Sequence, residues 1–247
     1  MSIVFVTGGT RGIGRAIADA FAAEGHTVLV GGRSATDSSA HRVLPGDIRD
    51  PAVVDRLIAQ LVQEYGALDV LVNNAGGSPA ADTATVSPRF SESIIRLNLI
   101  APLYVAQRAN AQMQQQATGG VILNICSVAG LRGSPTVAAY GAAKAGLIQL
   151  TRTQAIEFAP KVRVNAVTPG LIASAQAADP AADPAADHYA EADAIARTVP
   201  LGRFGTAADV ARACVFLASD HAAYITGANL VLDGGGEWPA FLRKESK

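Results

Sequence analysis

The chain has 247 residues, 49% of them hydrophobic and 17% charged, with a formal net charge of −1. That balance excludes a strong sequence-independent attraction to nucleic acid or to an anionic membrane surface, and no window approaches the roughly 18 continuous apolar residues of a membrane span. Two cysteines, Cys126 and Cys214, both in apolar runs, exclude a disulfide framework; the composition reads as a soluble, unprocessed cytoplasmic protein working on small molecules.

Ile3 to Thr7 is a short apolar run that stops at glycines, and apolar residues at helical spacing follow from Ile13 to Phe21 before Gly25. The pattern predicts strand, glycine turn, helix. Thr27 to Val30 and Val43-Leu44 read as the next strands. Pro51 to Tyr65 reads as an amphipathic helix with proline at its start and Gly66 at its end, and Asp69 to Val72 as a fourth strand. A long helix is predicted from about Pro88 to Gln115. Val121 to Ile125 then reads as a continuous apolar strand buried on both faces, as in parallel sheets. Ala138 to Phe158 is helical, Val162 to Val167 a strand, Thr206 to Ala218 helical and Asn229 to Leu232 a last strand. The alternation predicts an α/β fold: a single Rossmann domain over residues 1–247, with a doubly wound parallel sheet of about seven strands and helices on both faces.

One segment breaks the rhythm. Residues 177–187 repeat an Ala-Ala-Asp-Pro unit after the sixth strand. Repeated proline interrupts a helix, so the stretch reads either as a solvated excursion or as a mobile lid over a substrate cleft, spanning 174–198. Its position past the carboxyl end of a strand favours the lid.

Gly8, Gly12 and Gly14, with Thr10, Arg11 and Ile13 between them, occupy the corner between the first strand and first helix. Missing side chains there let backbone N–H groups approach a pyrophosphate at a helix N-terminus. At the end of the second strand, where an acid would accept from a ribose 2′-hydroxyl, the chain has Gly31-Gly32-Arg33-Ser34. A guanidinium in that place suits a 2′-phosphate, and Arg11 adds charge nearby; the expected cofactor is NADP(H). Tyr140 and Lys144 stand one helical turn apart, so the ammonium is expected beside the phenol, favouring its ionised form. The four histidines have no metal-ligand spacing, and no metal site is expected.

Taken as a set, Thr7-Gly8-x-x-x-Gly12-x-Gly14, Asn73-Asn74-Ala75-Gly76, Asn98, Ser127, Tyr140-x-x-x-Lys144 and Pro169-Gly170 resemble the short-chain dehydrogenase/reductase family. Pro200 to Gly205, Phe216 to Asp220 and Tyr224 to Gly227 resemble its 3-oxoacyl-carrier-protein reductase subgroup. The resemblance implies Tyr140 as general acid, Lys144 as holder of the nicotinamide ribose and depressor of the tyrosine pKa, and Ser127 as hydrogen-bond donor to the carbonyl oxygen. It implies Asn98 in a water relay toward Lys144. Asp47 and Ile48 match adenine contacts, Asn74, Ala75 and Gly76 a turn beside the adenosine ribose, and Pro169, Gly170, Ile172 and Ser174 the nicotinamide segment; Asn73 reads as structural.

The expected activity is NADPH-dependent reduction of a ketone or 3-oxoacyl thioester, with a small-molecule or acyl-thioester substrate. The alternatives are an NADP-dependent dehydrogenase of a small hydroxylated metabolite and a non-catalytic NADP(H) sensor. Arg89, Arg96 and Arg132 are candidates for a basic rim facing an acidic carrier. The family resemblance also implies a homo-oligomer, a tetramer or dimer, through helices around Leu97 to Ala111 and Ala143 to Phe158.

Overall fold

The computed structural model of the protein describes residues 1–34, 40–173 and 196–238. Strands β1 (Ile3–Thr7), β2 (Thr27–Gly32), β3 (Arg42–Pro45), β4 (Val70–Asn73), β5 (Gly120–Ile125), β6 (Val162–Pro169) and β7 (Asn229–Leu232) form one sheet in the order β3-β2-β1-β4-β5-β6-β7. Every pairing is parallel. The order reverses direction between β1 and β4, and a doubly wound sheet opens a crevice at the carboxyl ends of its strands at such a point.

Side-chain alternation explains why a run of apolar residues becomes a strand here. Ile3 and Phe5 of β1 pack on one face with α2 (Pro51–Tyr65), α4 (Ala101–Met113) and the end of α5 (Ala138–Glu157). Val4 and Val6 pack on the other face with α1 (Gly12–Ala23) and α6 (Ala207–Ala218). Both sets are at most 8% exposed, so β1 is buried on both faces. One residue of register slip would exchange the two sets.

The element boundaries fall within a few residues of the sequence expectations, with two differences. The predicted long helix consists of α3 (Pro88–Ile95), one π turn over Arg96–Ile100, and α4. The extra residue in that turn carries Asn98, which is fully buried. Second, β5 is not continuously apolar: Asn124 is buried in it, accepting from Asn73 Nδ2 at 2.9 Å and donating to Thr151 Oγ1 at 2.9 Å. This polar chain ties β4 to β5 and both to α5, in keeping with a structural Asn73.

The predicted lid, apart from residues 196–198, lies outside the described residues, and so does Ser174. The chain enters that stretch from a fixed position: Ala173 N donates to Gly205 O and Gly205 N donates to Leu171 O, each at 2.9 Å. Both cysteines are buried free thiols. Among the described residues no helix is long and apolar enough to cross a membrane, and no cluster of metal-ligating side chains occurs.

Candidate active site

A cleft of about 1000 Å³ lies along the carboxyl ends of the strands. Its first wall is the turn between β1 and α1. Side-chain oxygens of Asp50, Ser87 and Thr206 cap α2, α3 and α6, whereas the N-cap of α1, Arg11, makes no side-chain cap. Ile13 and Gly14 of its first turn line the cleft, and a helix N-terminus there favours an anion. Close approach makes glycine necessary here: a Cβ on Gly14 would come within 2.3 Å of Gly8 O and of Asn74 Nδ2. The residues present thus fit a dinucleotide, because the backbone itself forms the cradle.

Thr7 fastens this turn to the next strand. Its Oγ1 accepts from Asn74 N at 3.0 Å and Ala75 N at 3.1 Å, and donates to Val72 O at 3.3 Å. Asn74 Nδ2 donates back to Thr7 O at 3.0 Å and Gly8 O at 3.1 Å. Asn74 lines the cleft, but its amide nitrogen is occupied in joining the ends of β1 and β4.

The opposite wall is built by β5 and α5. Ser127 follows β5 and caps a short 3-10 turn, Val128–Gly130, its Oγ accepting from Ala129 N at 3.2 Å. That contact leaves the hydroxyl proton free to donate, and Ser127 stands near enough to the Tyr140 phenol to act on its pKa. The turn sits tight against α5: a Cβ on Gly130 would lie 2.7 Å from Ala145 N and 2.8 Å from Lys144 C. Glycine thereby sets the separation of Ser127 from Tyr140. Lys144, 3% exposed, donates from Nζ to Ile125 O at 2.8 Å and stands 5.6 Å from the centre of the Tyr140 ring.

Electrostatics at this wall differ from the sequence expectation. Burial pushes the Tyr140 phenol up from its ordinary pKa, against the lowering effect of the Ser127 hydrogen bond. Burial also brings Lys144 down to about 8. Burial, and not Lys144, sets the direction of the Tyr140 shift; the ammonium is directed to the Ile125 carbonyl and is itself penalised by desolvation. A buried, neutral phenol is a proton donor at neutral pH. Cys126, between β5 and Ser127, is likewise held as a neutral thiol, its pKa pushed up to about 12 by burial.

Most of the residues singled out in the sequence converge on this one cleft. Gly8, Thr10, Arg11, Ile13 and Gly14 line it from the glycine turn, and Arg33, Ser34, Asp47 and Ile48 from the ends of β2 and β3. Asn74, Ala75 and Gly76 line its floor; Ser127, Tyr140 and Lys144 line the far wall, with Pro169, Gly170 and Ile172 beside them. Gly12 has φ +56° in the turn and is not part of the cleft lining.

Asn98 lies behind the lining. Its Oδ1 accepts from Gly77 N, and its Nδ2 donates to Gly77 O and Ile94 O, each at 2.9 Å. With those contacts made, its amide clamps the loop after Gly76. Of the candidate rim arginines, Arg132 is paired with Glu237, and Arg89, Arg96 and Arg132 do not line the cleft.

The sequence reading passed over Arg49, Gly77 and Leu97, and gave Thr7 and Cys126 no part in the cleft. Thr7 opens the glycine motif without any sign of its fastening role, and Arg49 was visible only as a neighbour of Asp47 and Ile48. Leu97 reaches the cleft because the π turn rotates the helix face, and no periodicity announces that.

A family model described as enoyl-(acyl carrier protein) reductase matches residues 8–237. The 3-oxoacyl-(acyl-carrier-protein) reductase FabG of Thermotoga maritima is 37% identical over 246 residues, covering 94% of this chain and 96% of its own. Among solved structures, ligand-free aldohexose dehydrogenase of Thermoplasma acidophilum has a TM-score of 0.89 at 32% identity, over 99% of this chain and 97% of its own. ElxO with NADP bound has a TM-score of 0.86 at 31% identity, over 95% and 98%.

Proposed function

Because the chain belongs to the short-chain dehydrogenase/reductase family, we propose that this oxidoreductase uses NADPH to reduce a ketone or 3-oxoacyl thioester carbonyl, with Tyr140 as the proton donor. The observation that carries the reading is the convergence of Ser127, Tyr140 and Lys144 on one wall of a cleft whose other end is lined by Arg33 and Arg11. A sensor of the same cofactor would need the second end and not the first.

When bound, NADPH supplies the hydride to the carbonyl carbon. The Ser127 hydroxyl donates a hydrogen bond to the carbonyl oxygen, where negative charge develops. The Tyr140 phenol gives that oxygen its proton, the O–H bond breaking and a phenolate remaining. Lys144, one turn along α5, supplies positive charge that stabilises the phenolate until a solvent proton replaces the one lost. Arg33 pairs with the 2′-phosphate, since β2 ends without an acid to accept from a ribose hydroxyl. Support for NADP(H) also comes from the bound cofactor of the similar ElxO. Asn98 acts by fixing the Gly77 loop.

The similar proteins include an acyl-carrier-protein reductase and a sugar dehydrogenase, so one body serves several substrates. The test is NADPH oxidation with 3-oxoacyl thioesters, small ketones, quinones and sugars. Turnover of a thioester or ketone supports the reading, turnover confined to sugars or their alcohols moves it to the small-metabolite dehydrogenase, and none across the panel favours the sensor. The same reading includes assembly into a dimer or tetramer through α4 and α5. Ile156 on α5 is 81% exposed, and sedimentation of wild type against Ile156→Lys tests whether it is covered in solution.

A further inference from the structure

The end of the cleft beyond β2 and β3 holds an acid as well as arginines. Asp47 lines it together with Arg33, Ser34 and Arg49. Arg49 grips both oxygens of this carboxylate: Nε donates to Oδ1 at 2.9 Å and Oδ2 at 3.0 Å, and Nη2 donates to Oδ2 at 2.5 Å. The Arg49 backbone N donates to Oδ1 at 3.0 Å as well. The carboxyl is held below the ordinary range chiefly by these hydrogen bonds, and the charge of Arg33 acts on it in the same direction. Asp47 and Arg33 are thus near enough to feel each other. The Arg49 and Asp47 side chains are 42% and 40% exposed, and an ion pair that open adds little to folding stability. Its position in the cleft is what requires explanation.

We propose that Arg49 is a cofactor-specificity residue, acting by neutralising Asp47 so that a phosphorylated adenosine ribose bound at Arg33 meets no free carboxylate. The inference rests on the NADP(H) reading above. An unpaired Asp47 would oppose a 2′-phosphate in two ways: it would repel the dianion, and it would compete for the Arg33 guanidinium. An unphosphorylated ribose would suffer neither effect. Arg49 therefore acts through another side chain, as a positioning residue, and changes the ratio of affinities more than either affinity shared by both cofactors.

The experiment measures Kd for NADPH and for NADH by nicotinamide fluorescence in wild type, Arg49→Gln, Arg49→Lys, Arg33→Ala and the double variant Arg49→Gln/Asp47→Asn. Taking both affinities within one variant cancels any general loosening of the fold. Wild type is expected to prefer NADPH; Arg49→Gln should lose about tenfold of that preference, the scale of one charge–charge interaction in a partly exposed site. Arg49→Lys should keep most of it, and adding Asp47→Asn to Arg49→Gln should restore it. An unchanged ratio in Arg49→Gln overturns the proposal, and so does a loss that Asp47→Asn does not relieve, which would make Arg49 a direct phosphate ligand. A wild type without preference, unaffected by Arg33→Ala, overturns the NADP(H) reading itself and this inference with it.

Discussion

Replacing Thr7 by valine keeps the shape of a buried β1 side chain and removes one hydroxyl. Asn74 N retains Val72 O as a second acceptor at 3.1 Å, but Ala75 N has Thr7 Oγ1 as its acceptor at 3.1 Å. Stranding one such N–H costs roughly 1–3 kcal/mol. At about 2–4 °C per kcal/mol for a chain of this size, Tm should fall by roughly 2–12 °C. The same change frees the segment after β4 from the turn before α1, so NADPH affinity should fall as well. Thr7→Ser is the control: it loses one methyl, about 0.8 kcal/mol, but keeps the acceptor and with it the affinity. Calorimetry and cofactor titration of the three proteins make the comparison. A Thr7→Val protein with wild-type Tm and wild-type affinity would refute the assignment of Thr7 as the fastening between β1 and β4.

Arg33→Asp should reverse the preference between NADPH and NADH, read as the ratio of kcat/KM values, because the new carboxylate accepts from a ribose hydroxyl and repels a phosphate. Gly130→Val forces the turn after Ser127 away from α5, where even a Cβ would lie 2.7 Å from Ala145 N; kcat should drop at least tenfold with NADPH affinity kept. In the pH profile, the raised Tyr140 pKa keeps the phenol protonated through neutrality, while the Lys144 ammonium, present at low pH, is lost as pH rises through about 8. Reductive kcat/KM should therefore be level below about 8 and fall above it, and a rise from acid toward neutrality would contradict a neutral phenol as donor.

The sheet was legible because a parallel strand buried on both faces shows as a dense apolar run between glycine or proline stops, as in Ile3 to Thr7. Helix limits were legible where turn chemistry marks them, as with Pro51 and Gly66 around α2. The convergence of Ser127, Tyr140 and Lys144 followed from helical spacing and from the family resemblance. The direction of the Tyr140 shift did not follow. It depends on how deeply the phenol is buried and on the Ile125 carbonyl that accepts the lysine's hydrogen bond, and both are tertiary facts. The π turn at Arg96–Ile100 was equally hidden, because one inserted residue barely alters a helical pattern while bringing Leu97 to the cleft and Asn98 onto Gly77. Nothing in the sequence singles out Arg49, whose part follows from its two-oxygen grip on Asp47.

The central claim is that Tyr140 gives the proton in a cleft otherwise built to hold the cofactor. Tyr140→Phe removes that proton and leaves the glycine turn, Arg33 and Lys144 in place, so NADPH oxidation with any substrate the wild type reduces is the direct measurement. The account predicts NADPH binding within about twofold of wild type and turnover reduced by at least 10²-fold, the lower end of what a positioned acid contributes. A Tyr140→Phe protein that turns over at the wild-type rate would contradict it.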